Sequence, residues 1–242
     1  MLHWSIIAAA CLGFDDPAAK KIEELTRSIA LSPMNVEHYS ERGDLYFQNR
    51  EFKKSLSDYE KMVELNPRLD VTHWRKGIVL YYLGRYEDSA KQFEKYQTID
   101  DVDRENGLWR FLAMQKKVGT DKAREGMIQY TKLDRPPLTD VYRMFQGELS
   151  PTEFSKKAGA FSENSKERFY AELYLGLYFD GEGDAPKALA FLRSAEKNRW
   201  AKSSTGGPGW MWHIARIHAL KVEQESKAKK PDAKPAPEKK AT

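Results

Sequence analysis

The chain has 242 residues, of which 31% are charged and 40% hydrophobic, and its mean hydropathy is −0.72. That balance reads as soluble and surface-rich, which suits an elongated stack of repeats better than one large globular core. The formal charge of +4 is carried whole by Ser226–Thr242, where six Lys face Asp232 and Glu238, so the body is formally neutral and lacks the basic stripe that nucleic-acid binding needs. A single cysteine, Cys11, excludes an intrachain disulfide, and without CxxC or clustered His and Cys no structural zinc site is expected.

In chain order, Leu2–Ala10 is an apolar run that leads through Ala8-Ala9-Ala10 into Cys11. It reads as the h-region and cleavage site of an export signal, as a lipoprotein cleavage box with Cys11 as the lipidated residue, or as a degenerate first helix. It is far too short to span a bilayer. Asp15-Asp16-Pro17 then opens a helix with an acidic cap and a proline in the first turn. Ile22, Leu25 and Ile29 recur at helical spacing, so Asp16–Leu31 reads as the second helix of a partial leading repeat covering residues 15–35.

Val36–Leu69 and Asp70–Asp103 agree position for position at an offset of 34. Gly43 falls on Gly77, Phe52 on Tyr86, Ser55 on Ser89, Tyr59 on Phe93 and Met62 on Tyr96, and Pro33 aligns with Pro67. A 34-residue period with these small and aromatic positions resembles the tetratricopeptide (TPR) family, built of helix A–helix B hairpins. A glycine inside a helix costs about 1 kcal/mol relative to alanine, so Gly43 and Gly77 imply a close approach, expected where helix B crosses at Ser55 or Ser89. Gly84 is expected to end helix A with a positive φ, with Asn49 in that role in the first copy.

After residue 103 the register changes. Residues 104–163 read as non-TPR helices: Glu105–Gln115 with an aromatic face, ending near Gly119, then a helix from Asp121 to about Leu133, a break at Arg135-Pro136-Pro137, and Val141–Phe145 capped by Thr139 and Asp140 and closed by Gly147. Ser150-Pro151-Thr152-Glu153 is a capping box. Residues 164–225 hold a third hairpin, Ser165–Asp180 and Asp184–Lys197, with Gly176, Gly183, Ala188, Leu192 and Ala195 at the repeat positions. A loop over Ser203–Gly209 follows, then a capping helix from Trp210 to about Gln224. The Lys/Ala/Pro tail over residues 226–242 cannot bury enough to fold.

Taken together, the order resembles the NlpI-type TPR lipoproteins of bacterial envelopes over roughly residues 35–200. Thr72–Arg85 matches that family's central repeat, Leu108–Lys116 its following helix, and Gly147–Ser150 and Tyr174–Tyr178 come in family order. The resemblance implies an all-α protein-interaction adaptor in the periplasm or cell envelope that presents substrates to a protease and scaffolds peptidoglycan hydrolases. A homodimer is left open, as are a cytoplasmic location and a purely structural role in a larger assembly.

A TPR groove is lined by fixed helix A positions, here Glu37, Ser40, Asp44, Phe47 and Gln48, then Val71, Trp74, Ile78, Tyr81 and Tyr82. The third copy offers Tyr170, Leu173, Leu177 and Asp180. Those residue types suit an apolar peptide or helix of another protein. The Lys, Asn and Arg of the chaperone-tail clamp are not at these positions. No GxSxG, HExxH or phosphate-binding loop occurs in the chain. His213 and His218 stand five apart, off a shared helix face. No catalytic residue, metal or cofactor is therefore expected, nor any membrane contact beyond a lipid at Cys11.

Overall fold

In a computed structural model, residues 16–228 are described. The Leu2–Cys11 segment and the Lys-rich tail beyond Ala228 lie outside them. The described residues are helical, with no β-strand among them and no helix long and apolar enough to cross a membrane. They divide into two compact units, with the boundary between Asp134 and Arg135.

The first unit opens with α1 (Pro17–Leu31), whose N-cap Asp16 accepts the Ala18 N–H at 3.0 Å. It packs on α2 (Val36–Gln48), which pairs with α3 (Phe52–Leu65). The second hairpin is α5 (Trp74–Tyr82) and α6 (Tyr86–Gln97), preceded by a single turn, α4 (Leu69–Thr72). Helix A of this copy is thus split at His73, whose Nδ1 caps α5 by accepting the Lys76 N–H. The turn before the split is held from α6, with Gln92 Nε2 donating to the Asp70 carbonyl and Lys95 pairing with its carboxylate.

What fills the space at the repeat glycines differs from the expected Ser crossing. A Cβ on Gly43 would lie 2.6 Å from the Tyr59 ring, and one on Gly77 2.7 Å from the Phe93 ring. Sixteen residues on, a large side chain of helix B packs against the glycine each time. In the second copy the serine ties the two helices together: Ser89 Oγ donates to the Gly77 carbonyl at 2.8 Å.

The turn residue is also corrected. Asn49 has φ −87°, and the positive φ falls on Arg50, at 64°, the position 34 before Gly84, at 73°. Both turns close alike, Glu51 N–H to the Tyr46 carbonyl and Arg85 N–H to the Leu80 carbonyl, each at 2.8–2.9 Å.

Next comes α7 (Arg104–Val118), capped by Asp103 and stopped at Gly119 with φ 86°, which packs on α6 and α8 (Thr120–Glu125). The helix expected to run to Leu133 stops at Glu125. Its continuation is claimed by tertiary hydrogen bonds: Arg110 donates to the Gly126 carbonyl, and Arg104 donates to the Lys132 carbonyl while its guanidinium covers the Tyr130 ring. Asp134 accepts the Arg104 backbone N–H at 2.9 Å.

The second unit holds α9 (Leu138–Gln146), closed by left-handed Gly147, and α10 (Pro151–Gly159), with both capping-box hydrogen bonds at Ser150 and Glu153. Thr139 and Asp140 do not cap α9; they lie inside its first turn. The hairpin of α11 (Lys166–Gly181) and α12 (Ala185–Lys197) repeats the motif, a Gly176 Cβ meeting Leu192 at 2.5 Å and Gly183 taking φ 78°. A short α13 (Arg199–Ser203) starts at buried Asn198, which caps it and donates to the Glu163 and Ser165 carbonyls. The capping helix α14 (Gly206–Ala228) begins four residues earlier than expected and takes in most of the Gly/Pro loop. Pro208 is tolerated there because first-turn N–H groups have no helical acceptor.

Candidate protein-interaction face

Within the first unit, a polar clasp of side chains joins α2 to α5. Arg75, at the start of α5, donates to both Asp44 oxygens at 2.6 and 2.7 Å and to Ser40 Oγ at 3.1 Å. The Tyr59 hydroxyl donates to the same carboxylate at 2.5 Å, and the guanidinium stands 5.5 Å over the Tyr59 ring. Burial, reinforced by the Asp44 charge, pushes the Tyr59 phenol well above its usual range, so it remains a donor. His73 packs against that ring at a tilt of 52°, 4.7 Å between centroids. Burial, then the Arg75 and Lys76 charges, pushes its imidazole down to about 3 and keeps it neutral.

A second junction is aromatic. Tyr82 stacks on Phe52 at 5.1 Å and meets Phe47 edge-on at 5.8 Å, which welds the second hairpin to the first. Tyr81 is packed by Tyr86 and Trp109, each 5.6 Å away. These contacts decide which of the expected groove residues can meet a partner. Phe47, Ile78 and Tyr81 are buried to 3% exposure or less and belong to the core. Tyr170, Leu173 and Leu177 of α11 are equally buried, in the other unit. The large apolar side chains at these helix A positions pack inward.

Left with solvent access on the first unit are Glu37, exposed, and Ser40, Asp44, Gln48, Val71, Trp74 and Tyr82, half-buried. Ser40 and Asp44 are already engaged by Arg75. Arg75 itself carries no periodic signal in the sequence, because it stands one place beyond the groove position held by Trp74. In the second unit Asp180 is bound up with α14: His218 Nε2 lies 3.1 Å from its Oδ2, and Lys221 Nζ donates to it at 3.3 Å. Among the described residues no group of three His, Cys, Asp or Glu is placed to hold a metal ion.

No family model matches this chain. A curated relative, the lipoprotein NlpI homolog of Haemophilus influenzae, is 27% identical over 158 residues, which is 64% of this chain and 49% of the relative. The chain thus spans about half the length of the curated relative that it matches. Its helical hairpins, stacked glycine against large side chain, and this match agree: the chain is similar to an NlpI-type lipoprotein.

Proposed function

We propose that this chain is a non-enzymatic protein-interaction adaptor of the bacterial cell envelope, and that it takes a partner segment on the α2–α5 face of the first unit. Leu2–Ala10 directs export in this reading, and Cys11 is the lipidated residue; similarity to a protein named a lipoprotein supports both. The partners that the resemblance implies are a periplasmic protease and peptidoglycan hydrolases.

The observation that carries the binding reading is Trp74. It is a large aromatic residue left partly accessible at the start of α5, next in sequence to Arg75, which neutralises the Asp44 carboxylate. An aromatic anchor with charges satisfied around it is the composition of an interaction hot spot. Tyr82 is a poorer target for testing, because its ring holds two hairpins together. Trp74→Ala is expected to leave the melting temperature within a few degrees of the parent and to abolish co-purification of in-cell cross-linked partners. Unchanged capture by Trp74→Ala would refute the face. The mass of the mature N-terminus tests export separately: a diacylated Cys11 is expected, and an intact Met1 would refute it.

A further inference from the structure

Four residues before its glycine, the third hairpin departs from the other two. Tyr39 stands four before Gly43 and His73 four before Gly77, both buried rings, whereas the residue four before Gly176 is Glu172. Glu172 is 4% exposed and is the one charged residue in the buried run 169–177 of α11. An ion pair buried in this way seldom adds stability over well-packed apolar residues, so its presence points to another use. Arg168 Nε donates to Glu172 Oε1 at 2.5 Å, and its Nη1 donates to the Ala158 carbonyl at 3.0 Å. Glu172 Oε2 takes no hydrogen bond among the described residues. The side chain lines a hollow of about 370 Å³ that lies within the second unit.

The hollow opens where α12 ends and α11 begins. Its frame is fixed by amides that are already engaged. The Asn198 amide donates to the Glu163 and Ser165 carbonyls at 3.1 Å, and Asn164 Oδ1 accepts the Arg199 N–H at 2.8 Å. Lys197 and Arg199 also line the hollow; both are exposed, and neither has a carboxylate partner among the described residues. The buried wall thus offers a carboxylate oxygen without a donor, and the exposed lip offers two cations without an anion. We infer that this hollow binds a free α-amino acid, whose ammonium donates to Glu172 Oε2 and whose carboxylate is taken by Lys197 and Arg199. An anion alone would meet the carboxylates of Glu172 and Glu163, and a cation alone would meet three basic side chains, so a molecule carrying both charges is the complementary one. The volume falls near the lower end of small-molecule sites, about 300–1,000 Å³, which suits an amino acid rather than a folded partner. The hollow shares no residue with the α2–α5 face.

The test titrates the full chain with the standard L-amino acids, their N-acetyl forms and their amides, read by isothermal calorimetry. At least one free amino acid is expected to bind with a millimolar or lower dissociation constant, and to lose about tenfold or more when its ammonium is acetylated or its carboxylate amidated. Glu172→Gln keeps an oxygen for Arg168 and is expected to weaken binding by about tenfold. The double variant Lys197→Ser, Arg199→Ser changes two exposed positions, so binding should weaken as much while melting stays where it was. That second arm separates loss of the site from loss of the fold. Trp74→Ala should leave this binding unchanged, which keeps the hollow and the α2–α5 face separately testable. No saturable binding by any amino acid at about 10 mM, equal binding of the acetylated forms, or binding indifferent to the substitutions would overturn the inference. So would tighter binding of inorganic phosphate, which would make the hollow a simple anion site.

Discussion

The three repeat glycines show what one missing methyl group does. Gly77→Ala gains helix propensity of about 1 kcal/mol but places a Cβ 2.7 Å from the Phe93 ring. Overpacking of that kind costs about 1–3 kcal/mol, so the net change in urea unfolding is expected to be a loss, larger for Gly77→Leu, and partly restored by Phe93→Leu. Arg50 presents the opposite case. It holds φ 64° at the position where the other two hairpins have glycine, and a left-handed non-glycine residue costs roughly 1–2 kcal/mol. Arg50→Gly is therefore expected to raise stability by up to about 1 kcal/mol, offset by the freedom glycine adds to the unfolded chain.

Acid should act through two imidazoles. Burial holds His73 down near 3 and His213 near 4, both below the usual 6.5. Above pH 6.5 both are neutral folded or unfolded. As pH falls below 6.5 the unfolded chain takes up protons that the folded chain refuses, and stability is lost by up to about 1.4 kcal/mol per pH unit for each. His73→Asn keeps an acceptor for the Lys76 N–H and removes the proton site. The variant should show a shallower decline between pH 6.5 and 4 in denaturant titrations.

At the scale of elements, local chemistry predicted the caps and stops well. Asp16 and Ser150 cap as their sequences suggest, whereas Thr139 and Asp140 do not, and Gly84, Gly147 and Gly183 turn the chain with positive φ. These signals lie within four residues of what they control. One miss is local: the position 34 before Gly84 is Arg50, and it, not Asn49, carries the positive φ. Another has a distant cause. The helix expected to reach Leu133 ends at Glu125 because Arg104 and Arg110, sixteen or more residues earlier, hold the carbonyls of Lys132 and Gly126. Arg104→Met should therefore leave α5 and α6 protected and speed amide exchange across residues 127–134. Unchanged exchange there would show that the segment is held by other means.

At the scale of the molecule, the periodic pattern revealed the hairpins but overstated the groove. A repeat position specifies a place on a helix, whereas exposure depends on which neighbours fill the space; Tyr81 meets Trp109 from a helix outside the two matched copies. The charge pattern carries its own expectation. With the whole formal charge of +4 in Ser226–Thr242, removal of residues 229–242 should lower solubility near pH 7, where a nearly neutral body no longer repels its copies. The Arg75 clasp has a wider consequence. Its donor belongs to one hairpin and its acceptors to the hairpin before, so this guanidinium fork, together with the Tyr82–Phe52 stack, helps hold the angle at which the two wind past each other. Lysine would keep the charge but lose the two-pronged grip, and the coil could relax to another pitch, altering the curvature that any bound chain must follow.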